Sequence, residues 1–168
     1  MTIHLTAASA SQVEEIRNLV NIAYRGDVGW TRETDIVKGA RTRSDEIRQY
    51  LENSNAHLLV ATTDNGIRAC ICIEKKDNRA FFGLFAVHPD VQGKGMGGKI
   101  LAQAEEYATA TLGLQHFVMV VISQRKELLA FYARRGYIKT GETKPYPADL
   151  NLGTPLREGL TIEYLEKK

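Results

Sequence analysis

The chain has 168 residues, of which 43% are hydrophobic and 25% charged, and this composition is typical of one globular domain rather than a disordered chain. Its formal net charge of +2 does not favour broad, nonspecific binding to nucleic acid. No apolar run approaches the ~18 residues that span a bilayer, Met1–Ser11 lacks the pattern of a secretory signal, and two cysteines are too few for a disulfide framework. We therefore expect one domain over residues 1–168, in a reducing, cytoplasmic compartment.

The first half of the chain predicts a strand, two helices and a hairpin. Ser11 with Glu14 indicates a capping box at the start of the first helix, and a polar, irregular segment at 25–43 precedes the second. Asp64-Asn65-Gly66 then separates two apolar runs and is a strong signal for a hairpin turn. The expected positions are Ile3–Ala7 for the strand, about 13–24 and 44–52 for the helices, and His57–Thr63 and Ile67–Lys75 for the hairpin.

The second half predicts alternating strands and helices. A turn at Asp77-Asn78 leads into strand Ala80–His88, and a glycine cluster then opens a helix. Three late prolines favour an extended loop over 144–158. The remaining strand, helix and two final strands are expected at His116–Ile122, Glu127–Arg135, Tyr137–Glu142 and Leu160–Leu165. Hairpins and crossover connections coexist in this order, so the predicted fold class is α/β with a mixed sheet flanked by helices.

The segment Gln92–Lys99 contains four glycines and leads directly into a helix. Free backbone N–H groups at the positive end of a helix bind phosphate groups. The glycines satisfy G-x-G-x-x-G, but four residues separate them from the strand and no acidic residue ends the next strand, which disfavours a dinucleotide site. A P-loop is disfavoured because Ile100 stands where a magnesium-binding hydroxyl is required.

The pattern Gln92-x-x-Gly95-x-Gly97 after an apolar strand resembles the signature of the GNAT family of N-acetyltransferases. The later run Phe131-Tyr132-Ala133-Arg134-Arg135-Gly136-Tyr137 resembles a second motif of that family. With the strand order, the resemblance covers nearly the whole chain. It implies transfer of an acetyl group from acetyl-CoA to a primary amine, on a mixed sheet that splays between strands 80–88 and 116–122. A non-catalytic acyl-CoA sensor with the same fold is the alternative function.

The resemblance implies that acetyl-CoA lies in the splay of the sheet. Its pyrophosphate would rest on the glycine segment, and its pantetheine arm would pair with the preceding strand. Arg125 stands where the family often has Asn. Three roles are left open for it: contact with a CoA phosphate, contact with the acceptor, or a solvated position near a helix start. The predicted cofactor-binding residues are Phe85, Ala86, Val87, Gln92, Gly93, Lys94, Gly95, Met96, Gly97, Gly98, Lys99 and Arg125.

Tyr132 occupies the position of the family tyrosine that gives its proton to the CoA sulfur, and it is the predicted catalytic residue. A backbone N–H near Ala86–Val87 is expected to hold the oxyanion. The general base is left open among a water molecule, His88, Glu33, Asp35 and Glu74.

The acceptor is expected to be a small molecule with an amine group, with no nucleic-acid or membrane partner, and the protein to be a monomer or homodimer. Its pocket is predicted from two loops in which periodicity fails while aromatic and charged residues accumulate. The residues assigned to it are Tyr24, Trp30, Glu33 and Tyr146. Cys70 and Cys72 share one face of a strand without a matching Cys/His cluster, so they are expected to be buried thiols and no metal is expected.

Overall fold

The structure is a computed structural model that describes residues 3–25, 37–147 and 153–168. The α-helices in these ranges are α1 (Val13–Arg25), α2 (Ser44–Glu52), α3 (Met96–Ala110) and α4 (Lys126–Ala133). The strands are β1 (Leu5–Ala7), β2 (Val37–Lys38), β3 (Ala56–Thr63), β4 (Gly66–Lys76), β5 (Arg79–Val87), β6 (Phe117–Ile122), β7 (Ile138–Pro145), β8 (Thr154–Pro155) and β9 (Thr161–Lys167). No helix in these ranges is both long and apolar enough to cross a membrane.

Seven strands form one sheet in the order β1-β3-β4-β5-β6-β9-β7. Neighbouring strands are antiparallel except for β5 and β6, which are parallel, so the predicted mixed sheet is confirmed. The apolar side chains of α1 and α2 pack on one face of the sheet, and those of α3 and α4 pack on the other. Burial of both faces is the main stabilising contribution to such a layered fold.

The sheet opens between β5 and β6. Their parallel pairing begins at Ala80 with Phe117 and ends at Phe82 with Met119, although both strands continue beyond it. β6 stays paired with β9 as far as Ile122. The predicted splay is therefore confirmed, and it leaves the C-terminal half of β5 without a strand partner on its β6 side within the described part of the chain.

A β-bulge lies at the point where the two strands part. Cys70 pairs with Ala86 and Cys72 with Gly83, so β5 carries one more residue than β4 over this stretch. Leu84 lies within the bulge and has a φ of 47°, in the left-handed region that a leucine rarely adopts. A bulge bends its strand and increases the local twist, which is consistent with the separation of β5 from β6 beyond this point.

The start of the first helix differs from the prediction. A short 3₁₀ turn precedes α1, and the Ser9 N–H donates to Gln12 Oε1 at 2.9 Å. The capping box predicted from Ser11 and Glu14 is therefore wrong. Glu14 Oε1 instead accepts a hydrogen bond from Ser44 Oγ at 2.7 Å, so its carboxylate joins α1 to α2.

The two segments predicted to be irregular contribute a short ladder. β2, from the first segment, pairs antiparallel with β8, from the second, and β7 runs on to Pro145. The prediction of an extended loop over 144–158 is therefore wrong where β7 and β8 form. Val37 of this ladder is buried together with Ile122 and Leu160, which secures it near the end of β6.

Candidate functional site

A cleft of about 300 Å³ lies where β5 and β6 part. Its walls are the end of β5, the glycine segment, the first turn of α3, α4 and the last turn of α1. The sequence-predicted residues that line it are Tyr24, Phe85, Ala86, Val87, Gln92, Gly93, Gly95, Met96, Gly97, Gly98, Arg125 and Tyr132. The fold thus brings together residues that are more than a hundred positions apart in the chain.

The remaining predicted site residues lie elsewhere. Lys94 and Lys99 are exposed and do not line the cleft. Tyr146 is half-buried against the cluster that includes Val37, outside the cleft wall. Trp30 and Glu33 lie outside the described residues.

Several lining residues were not predicted as site residues. Two of them, Arg134 and Arg135, directly precede Gly136, and Phe131 precedes the predicted catalytic tyrosine. Their signal in the sequence was the second motif itself, because all three belong to the run Phe131–Tyr137. The others are Ala23 and Leu128.

The glycine segment presents open backbone to the cleft. Gly93 and Gly95 have φ values of 80° and 72°, and a Cβ at either position would meet no atom within 4 Å. Gly95 is the N-cap of α3, whose first turn carries no acidic side chain. Gln92 Nε2 donates to the Val87 carbonyl at 2.8 Å, which ties this segment to the end of β5. Amide groups at a helix start, with space in front of them, are suited to an anion.

Arg135 adds a cation beside the same helix start. Its guanidinium lies 3.6 Å from the centroid of the Phe131 ring, and Nη1 donates to the Phe131 carbonyl at 2.9 Å. Gly98 makes room for it, because a Cβ there would lie 2.9 Å from Arg135 Nη2. Burial lowers the pKa of Arg135 from its usual value, and a cation at the positive end of a helix is unfavourable unless an anion lies between them.

The end of β5 directs one backbone donor into the cleft. His88 N–H donates to the Arg68 carbonyl of β4 at 2.7 Å. Successive residues of a strand point their N–H groups to opposite edges. Val87 N–H therefore points away from β4, towards the space that β6 has left.

Tyr132 is 6% exposed and lies among aromatic rings. The centroids of Phe131, Tyr137 and Phe85 lie 5.2, 5.9 and 6.5 Å from its own. Burial raises the pKa of Tyr132 well above its usual range, Tyr24 adds to the increase, and the charges of nearby arginines oppose it. The hydroxyl is therefore protonated at neutral pH and carries a proton that it could donate.

Tyr24 lies between two guanidinium groups at the other end of the cleft. The Cζ atoms of Arg41 and Arg125 are 5.3 and 5.8 Å from the centroid of its ring. Both contacts are within the range of a cation–π interaction. The Arg125 contact joins the last turn of α1 to the start of α4, and the Arg41 contact joins α1 to the segment before α2.

The described lining of the cleft contains no Asp, Glu or His side chain. His88 Nδ1 accepts from the Asp90 N–H at 3.1 Å, outside the lining. Glu74 also lies outside the lining: it pairs with Phe81, in the part of the sheet where β5 and β6 are still paired. The other two candidates for the general base, Glu33 and Asp35, lie outside the described residues, so the base stays unassigned. In ranges 3–25, 37–147 and 153–168 no three His, Cys, Asp or Glu residues converge as metal ligands.

Comparisons with known proteins agree with this geometry. A family model for the acetyltransferase (GNAT) domain matches residues 33–145. The spermidine N-acetyltransferase of Vibrio cholerae in complex with CoA and spermine is 14% identical with a TM-score of 0.72, over 98% of this chain and 94% of that one. The ribosomal-protein-alanine N-acetyltransferase of Brucella melitensis is 16% identical with a TM-score of 0.72, over 97% and 98% of the two chains.

A GNAT family acetyltransferase from Elizabethkingia anophelis with acetyl-CoA bound is 19% identical with a TM-score of 0.69, over 99% of this chain and 97% of that one. At these identities the likeness shows a common fold. The family model spans more than half of the chain. The chain therefore belongs to the GNAT acetyltransferase family, whose acetyl donor is acetyl-CoA.

Proposed function

We propose that the chain transfers the acetyl group of acetyl-CoA to the primary amine of a small acceptor, by direct attack of the amine on the thioester. The observation that carries the proposal is the cleft at the opening of the sheet. It brings together the glycine segment, the edge of β5 that has no partner on its β6 side, and the buried hydroxyl of Tyr132. In this proposal residues 1–168 act as one domain. The buried free thiols Cys70 and Cys72 suit a reducing, cytoplasmic compartment.

The cleft residues fit the chemistry of CoA. Gly93 and Gly95 leave the space of a missing Cβ empty in front of the helix start, and Arg134 and Arg135 add positive charge beside it. With no carboxylate among the described lining residues, this end of the cleft favours a pyrophosphate. The unpaired edge of Phe85–Val87 would hold the pantetheine arm through its backbone groups, as an added strand does.

Two groups of this chain would act on the reacting atoms. Acetyl-CoA supplies a thioester carbonyl that an amine can attack. Val87 N–H, which points into the cleft, would hydrogen-bond the carbonyl oxygen as negative charge develops on it. The Tyr132 hydroxyl would give its proton to the leaving sulfur, so that free CoA departs as a thiol. A water molecule is proposed to take the proton of the amine, because the described lining has no carboxylate or imidazole to accept it and its arginines are already protonated.

The acceptor is proposed to enter from the α1 side of the cleft. Tyr24 lines that side next to Arg125, and Tyr146 packs near the end of β6, which bounds the opening. Trp30 and Glu33, which follow α1 in the sequence, complete the proposed pocket. Two of the similar structures are named as N-acetyltransferases of spermidine and of a ribosomal-protein alanine, and each of these acceptors has an amine group. This supports acetyl transfer to an amine without selecting an acceptor.

Binding and turnover test the function separately. Calorimetry should show binding of acetyl-CoA but not of ATP–Mg or NADH. A thiol-release assay across a panel of amino acids, polyamines and peptides should then show CoA release with at least one amine. Acetyl-CoA binding without release by any amine would favour a sensor, and absence of acetyl-CoA binding would overturn the cofactor assignment.

We expect Trp30→Ala, Glu33→Gln and Tyr146→Ala to raise the acceptor KM by about five- to tenfold each, the worth of one polar or aromatic contact. Their acetyl-CoA affinity should stay at the wild-type value, because none of the three belongs to the proposed cofactor half. Steady-state kinetics with the best amine measures both constants. A main effect on acetyl-CoA affinity, or an unchanged acceptor KM in all three variants, would contradict this pocket.

A further inference from the structure

The thiol of Cys70 is buried beneath the bulge that turns the end of β5 into the cleft. Cys70 Sγ donates a hydrogen bond to the Leu84 carbonyl at 3.2 Å. The backbone N–H of Ala86 interacts with the same sulfur. One side chain therefore contacts the residue before Phe85 and the residue after it.

The bulge needs support from outside the regular ladder. Pairing with β4 skips Ile71, and Leu84 has a positive φ, which persists in a leucine only where the surroundings hold it. Leu84 and Cys70 are 2% and 0% exposed, so water does not satisfy these groups. The Cys70 thiol is thus a hydrogen-bond donor at the position where the strand leaves its usual conformation.

Cys72 provides a natural comparison. It is also buried, on the same face of β4, but its backbone hydrogen bond is with His57 of β3 rather than with the bulge. Burial raises the pKa of both thiols to about 12. Both therefore stay protonated, and Cys70 remains a donor rather than a thiolate.

We propose that Cys70 is a positioning residue: its thiol fixes the bulge at Leu84 and thereby sets the direction in which Phe85–Val87 presents its backbone groups to acetyl-CoA. The inference rests on the proposed function, because it takes this edge as the cofactor-binding one. Cys70 does not line the cleft, so it acts only through the backbone.

The test compares Cys70→Ala with Cys72→Ala, which remove the same atoms from two buried sites on one strand. Cys70→Ala should lower kcat/KM for acetyl-CoA by about three- to tenfold, the worth of one hydrogen bond, and leave the acceptor KM unchanged. Both substitutions should lower Tm by similar amounts. Cys72→Ala, however, should keep the wild-type kcat/KM for acetyl-CoA. Cys70→Ser, which retains a donor, should recover most of the loss.

Hydrogen exchange provides a readout that does not depend on turnover. The amides of 85–87 should exchange faster in Cys70→Ala than in Cys72→Ala. If Cys70→Ala does not fold, Cys70→Val replaces it as the non-donor variant, because valine fills the volume of the cysteine side chain. Cys70→Val is then compared with Cys70→Ser, which keeps a donor.

Two results would overturn the inference. One is equal kcat/KM and equal exchange in the Cys70→Ala and Cys72→Ala variants. The other is a Cys70→Ser variant no better than the non-donor variant. Wild-type protein that fails to bind acetyl-CoA or to release CoA thiol would instead overturn the proposed function itself.

Discussion

Replacing Tyr132 by Phe is expected to lower kcat by about 10²–10⁴, the usual effect of removing a positioned acid. Acetyl-CoA affinity should stay near the wild-type value, since the substitution removes only the hydroxyl. The ring keeps its edge contacts with Phe131 and Tyr137, at centroid distances of 5.2 and 5.9 Å. Steady-state thiol release gives kcat, and calorimetry gives the affinity of the same preparation.

Tyr137→Phe is the matched control. It removes a hydroxyl from the neighbouring ring, where Tyr137 Oη donates to Glu105 Oε2 at 2.8 Å. Loss of this buried hydrogen bond should lower Tm but leave kcat within a few-fold of wild type. If Tyr132→Phe retains wild-type kcat, the leaving sulfur takes its proton from water or from another group.

The pH profile of the wild-type enzyme is a further check on the role of Tyr132. Burial raises the pKa of its hydroxyl above the ordinary value of 10.0. A raised pKa keeps the protonated form as pH rises, so proton donation is lost only above the ordinary tyrosine range. We therefore expect kcat not to fall as pH approaches 10. A decline of kcat near that pH, in protein that stays folded, would contradict this assignment.

Elements with strong local signals were predicted correctly. The hairpin of β3 and β4 follows from Asp64-Asn65-Gly66, whose turn chemistry acts over a few neighbouring residues. α2 was expected at about 44–52 and runs from Ser44 to Glu52, because its apolar spacing is enough to define a helix face.

Features that depend on distant contacts were missed. The two-residue pairing of β2 with β8 joins segments more than a hundred positions apart, and so short a ladder leaves no periodicity. Glu14 was assigned to a cap, yet Ser44 of the next helix captures its carboxylate. Competition between a local and a tertiary partner cannot be judged from sequence spacing alone.

The site was predicted largely through the resemblance of its two motifs to a family. In α3 Met96 and Ile100 are buried, whereas Lys99 is exposed and outside the cleft lining, so a phosphate contact of Lys99 stays a prediction. Arg135 was missed because its approach to α3 depends on the absence of a side chain at Gly98. That contact between α3 and the residue pair that follows α4 exists only in the folded chain.

Placing a negative charge at the glycine segment should abolish most of the affinity for acetyl-CoA. Gly95 lines the cleft, and its missing Cβ faces open space, so the carboxylate of Gly95→Asp would lie where the pyrophosphate is proposed to bind. Asp tolerates the left-handed backbone that Gly95 adopts at a φ of 72° better than most residues do. We expect the Kd for acetyl-CoA to rise by about ten- to a hundredfold, through repulsion and lost space. Calorimetry measures the change.

Gly95→Asn separates charge from shape, because it has the same size and backbone tolerance without the negative charge. We expect its Kd to rise far less than that of Gly95→Asp, and the difference between the two to shrink as salt screens the repulsion. Gly97→Asp is a less direct test, since a Cβ at Gly97 would lie 3.3 Å from Phe131 Cζ and would disturb the ring as well. Equal affinities in the two Gly95 variants would mean that no anion is bound here. Wild-type affinity in folded Gly95→Asp would show that the pyrophosphate does not bind at this helix start.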